Sequence, residues 1–285
     1  MSAALRWKKP IANRWLANLI SVFGGIVYLL QSWIYAKTQS SLLDEGAYLY
    51  KGYLFAIGKY WPYQDYGPWT NHMPLSFLIP GYTQVLLGPG LRTGRYLAIF
   101  LGLLTRLGLW VIIRRMGGYW WAALAVWAMV LNPAVVKLYS LANTQSLIAC
   151  MLVWVLVLTL GGDRPLWQVL LGSGLAGVML VTRVNLFPVL ILLLLYIYWE
   201  YGWRVGLYST LSGAIPVVIV HAVYWPGILK IWAHWIPKAL TPFLDPWRYP
   251  DGAIPSWIPS PTLATRLLSF FQGFRFHFVA LIGTI

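Results

Sequence analysis

Charged residues are scarce in this sequence. Asp, Glu, Lys and Arg make up only 10% of its 285 residues, whereas soluble domains contain about a quarter. Acidic residues number only seven, while 59% of the residues are hydrophobic and the mean hydropathy is +0.66. Several apolar runs approach the ~20 residues that a helix needs to cross a bilayer. The composition excludes an ordinary soluble domain and predicts an all-α, polytopic integral membrane protein.

Cysteine and histidine are also rare. The single cysteine, Cys150, excludes an intramolecular disulfide and a cysteine-based metal cluster. The four histidines are His72, His221, His234 and His277. None of them forms an i, i+4 pair, so the sequence predicts no metal site.

The net charge of +14 would suggest nucleic-acid binding in a soluble protein. Here the basic residues stand at the ends of apolar runs, where anionic lipid headgroups are the nearer partner. We therefore expect a membrane and anionic lipids as partners, and no nucleic acid.

The apolar runs predict about seven to eight transmembrane helices. Residues 1–14 are basic, which places the N-terminus in the cytoplasm of a multi-pass protein of the cell (plasma or inner) membrane. Residues 15–224 form the transmembrane module, with an outer loop at 37–95. The predicted spans are Trp15–Ala36, Tyr96–Ile113, Tyr119–Val136, Gln145–Leu160, Leu166–Val181, Val184–Trp199 and Val205–Tyr224.

Three other parts of the chain do not form full crossings. Pro74–Leu87 is short and contains Pro80, so we expect an interfacial or re-entrant segment. This count of crossings keeps Arg114 and Arg115 in the cytoplasm. Residues 225–263 hold eight prolines and several tryptophans, which predicts an outer interfacial loop. Residues 264–285 hold an interfacial segment and the start of a further span, incomplete at Ile285, so we expect a longer natural product or a minimal form.

The chemistry is expected from the outer loop, because three of the seven acidic residues lie there. They are Asp44, Glu45 and Asp65. Residues 45–57 have helical spacing that suits a helix lying on the membrane surface. The simplest alternative for the Asp44–Glu45 pair is an N-cap of that helix. Asp65 could likewise only end a turn.

Five elements of this region occur in an order that resembles a known superfamily. They are Asp44–Glu45, a Gly-Xaa-Xaa-Xaa-Pro-Tyr-Xaa-Asp segment (Gly58–Asp65), His72-Met-Pro-Leu75, Gly88 and Arg95. The pattern resembles the GT-C superfamily of glycosyltransferases, and most nearly its branch of protein O-mannosyltransferases and aminoarabinose transferases. The resemblance covers roughly residues 15–200.

The resemblance implies an enzyme that takes a sugar from a polyprenyl-phosphate carrier at the extracytoplasmic face, with inversion of the anomeric carbon. By matching position, Asp44 is the catalytic base or positions the acceptor, with Glu45 beside it. The chemistry of inverting transfer agrees, because a carboxylate must take the proton of the acceptor hydroxyl. Basic groups must also hold the anionic leaving phosphate.

Arg183 is the first candidate for contact with that phosphate, since it lies at the outer junction of spans five and six. Asn185, Arg95, Asp65 and His72 complete the predicted substrate-binding set. The arginines could instead be interfacial anchors whose heads reach the lipid headgroups. We predict no certain cofactor and leave a divalent cation open.

One departure from the family pattern supports a second hypothesis. Many relatives carry a second acidic residue between spans three and four, where this chain has Asn143 and Gln145, which cannot act as a base. The alternative is a non-catalytic, GT-C-derived structural subunit of a larger membrane complex with further membrane subunits. Arg106 lies deep in span two, where a lone charge must face protein or water.

Overall fold

The computed structural model describes residues 14–233, and the described residues up to 228 belong to one compact unit. Residues 14–228 form helices and no strand, which confirms the all-α prediction. A 3-10 turn, Val184–Leu186, precedes the helix that begins at Phe187. The helices are α1 (Arg14–Thr38), α2 (Leu43–Ala56), α3 (Leu75–Leu87), α4 (Leu91–Met116), α5 (Tyr119–Val130), α6 (Pro133–Leu138), α7 (Thr144–Thr159), α8 (Leu166–Leu180) and α9 (Phe187–Val223).

Within residues 14–233, three segments are long and apolar enough to cross a bilayer: α1, α4 and the stretch Val184–Val223. Helices α1 and α4 coincide with predicted spans one and two, and the stretch Val184–Val223 covers predicted spans six and seven. Four shorter apolar helices, α3, α5, α7 and α8, have 12 to 16 residues. Large apolar side chains such as Val22 and Leu30 are exposed, at 61% each, as expected for a surface in contact with lipid. The protein is therefore a membrane-embedded helical protein.

Span three is not one helix, so the prediction of Tyr119–Val136 is wrong in this respect. α5 ends at Val130 and α6 begins at Pro133. The side chain of Asn132 caps α6 by accepting hydrogen bonds from the N–H groups of Ala134 (3.1 Å) and Val135 (3.2 Å). Pro133 has no N–H with which to continue the hydrogen bonding of α5.

A glycine folds α9 back on itself. Gly202 has φ 81° and ψ 174°, a conformation that side chains disfavour. The hydroxyls of Tyr198 and Thr210 are 3.2 Å apart, although twelve residues of straight helix would separate them by ~18 Å. The arms 187–201 and 203–223 therefore run side by side in opposite directions. The turn predicted near Arg204 lies two residues earlier.

In the described part of the chain, two apolar cores hold the helices together. The first joins α1, α4, α5 and α6, and the second joins α7, α8 and the 187–201 arm of α9; α4 packs against α7 between them. The first core includes Tyr28, Ile99, Val126, Val130 and Tyr139. The second includes Val155, Val169, Ala176, Leu193 and Ile197.

The helices α2 and α3 form a hairpin at the end of the bundle where α4 begins. Their backbones nearly touch, since a Cβ added to Gly81 would lie 2.1 Å from the carbonyl oxygen of Gly52. The side chain of Gln84 donates to the carbonyl of Leu49 (2.8 Å) and accepts from the N–H of Gly90 (3.1 Å). With 13 residues, α3 is about 20 Å long, which is less than the ~30 Å hydrocarbon core.

The opposite end of the bundle gathers arginines. The guanidinium carbons of Arg14 and Arg114 lie 5.6 and 5.8 Å from the ring centre of Tyr119. Arg115 donates to the carbonyl of Val157 (2.7 Å). The start of α1 and the ends of α4 and α7 therefore meet at one end, away from α2.

Candidate active site

The start of α2 lies against α4, and this places Glu45 beside Arg95. The Nε and Nη2 atoms of Arg95 donate to the two carboxylate oxygens at 2.9 and 2.8 Å. Both side chains are buried, with exposed fractions of 0% for Glu45 and 2% for Arg95. Two residues that the sequence assigned to the active site are thus partners of each other.

Arg95 has no N–H left for a substrate. Its Nη1 donates to the carbonyls of Ala36 and Gln39, each at 2.8 Å, and its Nη2 donates to that of Ser40 at 3.0 Å. With the two bonds to Glu45, all five N–H groups of the guanidinium are used. The substrate-binding role predicted for Arg95 therefore finds no free donor in this structure.

Glu45 is saturated in the same way. Besides Arg95, its carboxylate accepts from the N–H groups of Leu42 (3.0 Å) and Ala142 (2.8 Å). Burial by itself would raise the pKa of Glu45, but the hydrogen bonds from Arg95, Leu42 and Ala142 hold it below the usual 4.5. A carboxylate with four hydrogen bonds has no lone pair free for an acceptor proton. We interpret Glu45 as a structural residue, against the catalytic role predicted for it.

Asp44, its neighbour, has the opposite environment. It is exposed in the first turn of α2 and forms no hydrogen bond or ion pair with residues 14–233. The positive end of the helix dipole favours a carboxylate at this position. Tyr48 and Lys51 follow at four and seven residues, which puts them on the same face of the helix. Asp44 thus has its carboxylate available to a ligand.

The ring of His72 stacks on that of Tyr48 and so lies against this face of α2. Its ring centre is 5.8 Å from that of Tyr48, with 24° between the ring planes. Its carbonyl accepts a hydrogen bond from the hydroxyl of Tyr63 (2.9 Å). Asp65 is exposed in the loop between α2 and α3. The substrate-binding roles of His72 and Asp65 stay predictions.

Residues 139–144, which we name the connecting segment, join the two halves of the candidate site. Ala142 donates to Glu45, and the hydroxyl of Thr144 accepts from Nη1 of Arg183 at 3.2 Å. The side chain of Asn143 accepts from the N–H of Ser146 (3.1 Å) and caps α7. Arg183 therefore lies at the same end of the bundle as α2.

A narrow cleft lies beside the connecting segment. Its walls come from α2, α3, the Gly94–Leu101 part of α4 and the start of α7. Most of the lining is apolar, and the polar residues in it include Ser76, Asn143 and Thr144. Tyr48, one helical turn after Asp44 on the same face of α2, also lines the cleft.

Arg183 has the properties of an anion-binding residue. It is half-buried in the loop between α8 and the 3-10 turn, and no carboxylate in the described part of the chain lies within 4 Å of it. One of its N–H groups donates to Thr144, which leaves others for a ligand. Asn185 is exposed on the adjacent 3-10 turn.

Sequence reasoning could not find the partners of Arg106. Its guanidinium carbon lies 3.4 Å from the ring centre of Tyr28 and 5.2 Å from that of Tyr139, and its Nη1 donates to the carbonyl of Gly102 (2.9 Å). Its exposed fraction is 2%, which confirms the prediction that this residue does not face lipid. Nε and Nη2 have no hydrogen-bond partner within residues 14–233.

Within residues 14–233, no three His, Cys, Asp or Glu side chains are grouped so that they could hold a metal ion. The predicted interfacial loop at 225–263, most of which follows residue 233, and the segment 264–285 lie mainly or wholly outside the described residues. No known family, curated protein or solved structure matches the chain. The resemblance to the GT-C superfamily stays a prediction.

Proposed function

We propose that the protein is a glycosyltransferase of the membrane that moves a sugar from a polyprenyl-phosphate carrier to an acceptor, with inversion. The observation that carries the proposal is the placement of Asp44 and Arg183. One is a carboxylate without a partner in the described part of the chain, and the other is a guanidinium without an acidic partner there. Both lie at one end of the bundle, linked through the connecting segment that walls the cleft.

The chemical roles follow from the charges. Asp44 takes the proton of the acceptor hydroxyl as its oxygen attacks the anomeric carbon of the sugar. The bond between that carbon and the phosphate oxygen breaks on the opposite face, and the electron pair leaves with the phosphate. Arg183, with Asn185 beside it, binds the phosphate and stabilises its developing charge.

The pair of Glu45 and Arg95 positions the base in this proposal. It ties the first turn of α2 to the end of α1, to α4 and to the connecting segment. Asp44 is the next residue, so its direction is set by a buried, fully hydrogen-bonded pair. His72, behind Tyr48, and Asp65, in the α2–α3 loop, are assigned to the sugar or acceptor.

The proposal includes a topology of seven to eight crossings of the cell membrane, with the N-terminus in the cytoplasm and α2 outside. It is supported by the arginines gathered where α1 begins, because cytoplasmic ends carry an excess of basic residues. Helices α5, α7 and α8, of 12 to 16 residues, are about 18–24 Å long. Local thinning of the bilayer would let such short helices cross.

The proposal is tested with the protein in lipid nanodiscs and a panel of polyprenyl-phosphate sugars. Asp44→Asn should lower transfer by at least about a hundredfold, because the base is lost, while the melting temperature stays unchanged. Arg183→Ala should weaken binding of polyprenyl phosphate, measured against polyprenol, which lacks the phosphate. Arg92→Ala is the matched control, since Arg92 is an exposed arginine at the start of α4.

Two results would count against the transferase. The first is full transfer by Asp44→Asn. The second is equal binding of polyprenyl phosphate and polyprenol by the unaltered protein.

The structural-subunit hypothesis is favoured by one observation. Glu45 is saturated, and Asn143 caps α7 where the GT-C pattern has an acid, so neither position offers a second carboxylate that could act as a base beside Asp44. In that case Asp44→Asn is silent in every assay, and the protein purifies in a fixed ratio with other membrane proteins.

A further inference from the structure

An apolar groove runs between α7 and the 187–201 arm of α9. Leu152, Leu156 and Leu160 follow one another at single helical turns along its α7 rim, and Tyr196 stands on the opposite rim. The floor is closed by Val155, Ala176 and Met179, which are at most 1% exposed. The groove therefore offers a continuous apolar channel between two helices.

The dimensions of the groove suit one lipid chain. From Leu152 to Leu160 the helix rises by about 12 Å. The hydrocarbon core is ~30 Å thick, so one leaflet is about 15 Å deep. The length of the groove thus matches the depth of one leaflet.

The mouth of the groove is polar and lies at the arginine-rich end of the bundle. The carbonyl of Leu160 accepts from Nε of Arg164 (2.9 Å), and the N–H of Gly161 donates to the hydroxyl of Tyr196 (3.0 Å). On the adjacent side of α7, Arg115 donates to the carbonyl of Val157 (2.7 Å). Arg164 and Arg115 each donate one N–H to a carbonyl at the end of α7, and their other N–H groups remain available to a ligand.

The arginines at this mouth form no ion pair within residues 14–233. No carboxylate in that range lies within 4 Å of Arg114, Arg115 or Arg164, and Arg114 and Arg164 both repel Arg115 electrostatically. Two exposed carboxylates, Asp163 and Glu200, lie at the same end. The three guanidinium groups exceed these two carboxylates in charge, and a net positive charge at a membrane surface attracts anionic headgroups.

We infer that this groove binds an anionic phospholipid, with one acyl chain between α7 and α9 and the phosphate on Arg115 and Arg164. Apolar rims and floor fit the chain, and the guanidinium groups, which form no ion pair within residues 14–233, fit the phosphate. The site lies at the end of the bundle opposite to Asp44 and Arg183, so it is separate from the proposed carrier site and does not depend on it.

The headgroup part is tested by exchanging the purified protein into nanodiscs of phosphatidylglycerol and phosphatidylcholine with identical chains. Native mass spectrometry then counts the lipids that stay bound. The unaltered protein should retain phosphatidylglycerol in about tenfold excess. The double variant Arg115→Gln/Arg164→Gln should lose the preference, and Arg204→Gln, at an exposed arginine, should keep it.

The chain part is tested by filling the groove. Leu156→Trp places a large ring on the rim and should displace the lipid. Leu195→Trp is the matched control, because Leu195 is 61% exposed on the outer surface of α9 and does not line the groove. It should retain phosphatidylglycerol as the unaltered protein does.

Several results would overturn the inference. Equal retention of the two lipids would do so, as would an unchanged preference in the double Gln variant or unchanged retention in Leu156→Trp. Competition by inorganic phosphate as strong as that by phosphatidylglycerol would show a free-phosphate site instead. If the Gln variants fail to fold, Arg115→Lys/Arg164→Lys serves in their place. It keeps both charges and should keep the preference, and loss of the preference in this folded variant would count equally against the inference.

Discussion

The helix α4 buries two arginines eleven residues apart, and they are stabilised in opposite ways. Arg95, near the start of the helix, shares two hydrogen bonds with Glu45 and gives its other N–H groups to three carbonyls. Arg106, near the middle, has one carbonyl and the faces of two tyrosines. About three helical turns separate them.

The difference shows that depth in the bundle decides which partners a buried charge finds. At the end of the bundle, the chain leaves its helices between α1 and α2, and the free carbonyls of Gln39 and Ser40 become available. In the middle, helix backbones are already hydrogen-bonded within each helix. There the guanidinium of Arg106 contacts aromatic rings instead, because their negative faces attract a cation and no free backbone group is needed.

The largest effect should come from breaking the pair at the end of the helix. Glu45→Gln leaves Arg95 buried without a counter-charge, so we expect the free energy of unfolding to fall by about 3–5 kcal/mol. Denaturant titration in detergent measures this loss. Asp44→Asn, one residue away and exposed, should leave the unfolding curve unchanged. Equal curves for both variants would show that the buried pair contributes nothing.

An intermediate effect is expected from the aromatic partner of Arg106. Tyr28→Leu removes the ring under the guanidinium and the hydrogen bond from its hydroxyl to the carbonyl of Ile99 (3.1 Å). The free energy of unfolding should fall by about 2 kcal/mol. A loss that disappears when Tyr28→Phe is tested instead would assign the stabilisation to the ring and not to the hydroxyl.

A smaller effect is expected from removing the second arginine itself. Arg106→Met replaces a charge that costs about 2.5–3.5 kcal/mol to insert with an apolar chain of similar length. The lost ring contacts offset much of that gain, so the free energy of unfolding should change by less than about 1 kcal/mol. A loss as large as that of Glu45→Gln would mean that Arg106 has a charged partner.

The smallest effect near neutral pH is the pH dependence of the Glu45 pair. Its folded-state pKa lies below the usual 4.5, so the stabilisation is fully present above about pH 4.5 and is lost as the pH falls through the folded value. Melting temperatures from about pH 7 to about pH 3 should fall more steeply for the unaltered protein than for Glu45→Gln. If the melting temperatures of the two proteins fell in parallel with pH, the stabilisation would not come from the ionised Glu45.

Much of the helical framework could be predicted from the sequence. The apolar runs place α1, α4, α7 and α8 within a few residues of their observed ends, because unbroken hydrophobic stretches leave little freedom in where a helix lies. The break between α5 and α6 was missed, although Asn132 followed by Pro133 is a known sign of a new helix start.

The candidate site was less predictable. The pattern named Glu45 and Arg95 without indicating that they bind each other, since the pairing depends on how α2 and α4 pack. Their remaining hydrogen bonds use backbone groups, such as the N–H of Ala142, whose position no side-chain pattern encodes. The link from Arg183 to Thr144 likewise needs the α7 and α8 packing.

The bend at Gly202 has a consequence for how this stretch fits the thickness of a bilayer. The stretch Val184–Val223 has 40 residues and would be about 60 Å long as one straight helix, twice the thickness of the hydrocarbon core. Divided at Gly202, the arms 187–201 and 203–223 are only about 22 and 31 Å long. A side chain at this one position, where φ is 81°, would strain the backbone and favour a straight rod too long for the hydrocarbon core.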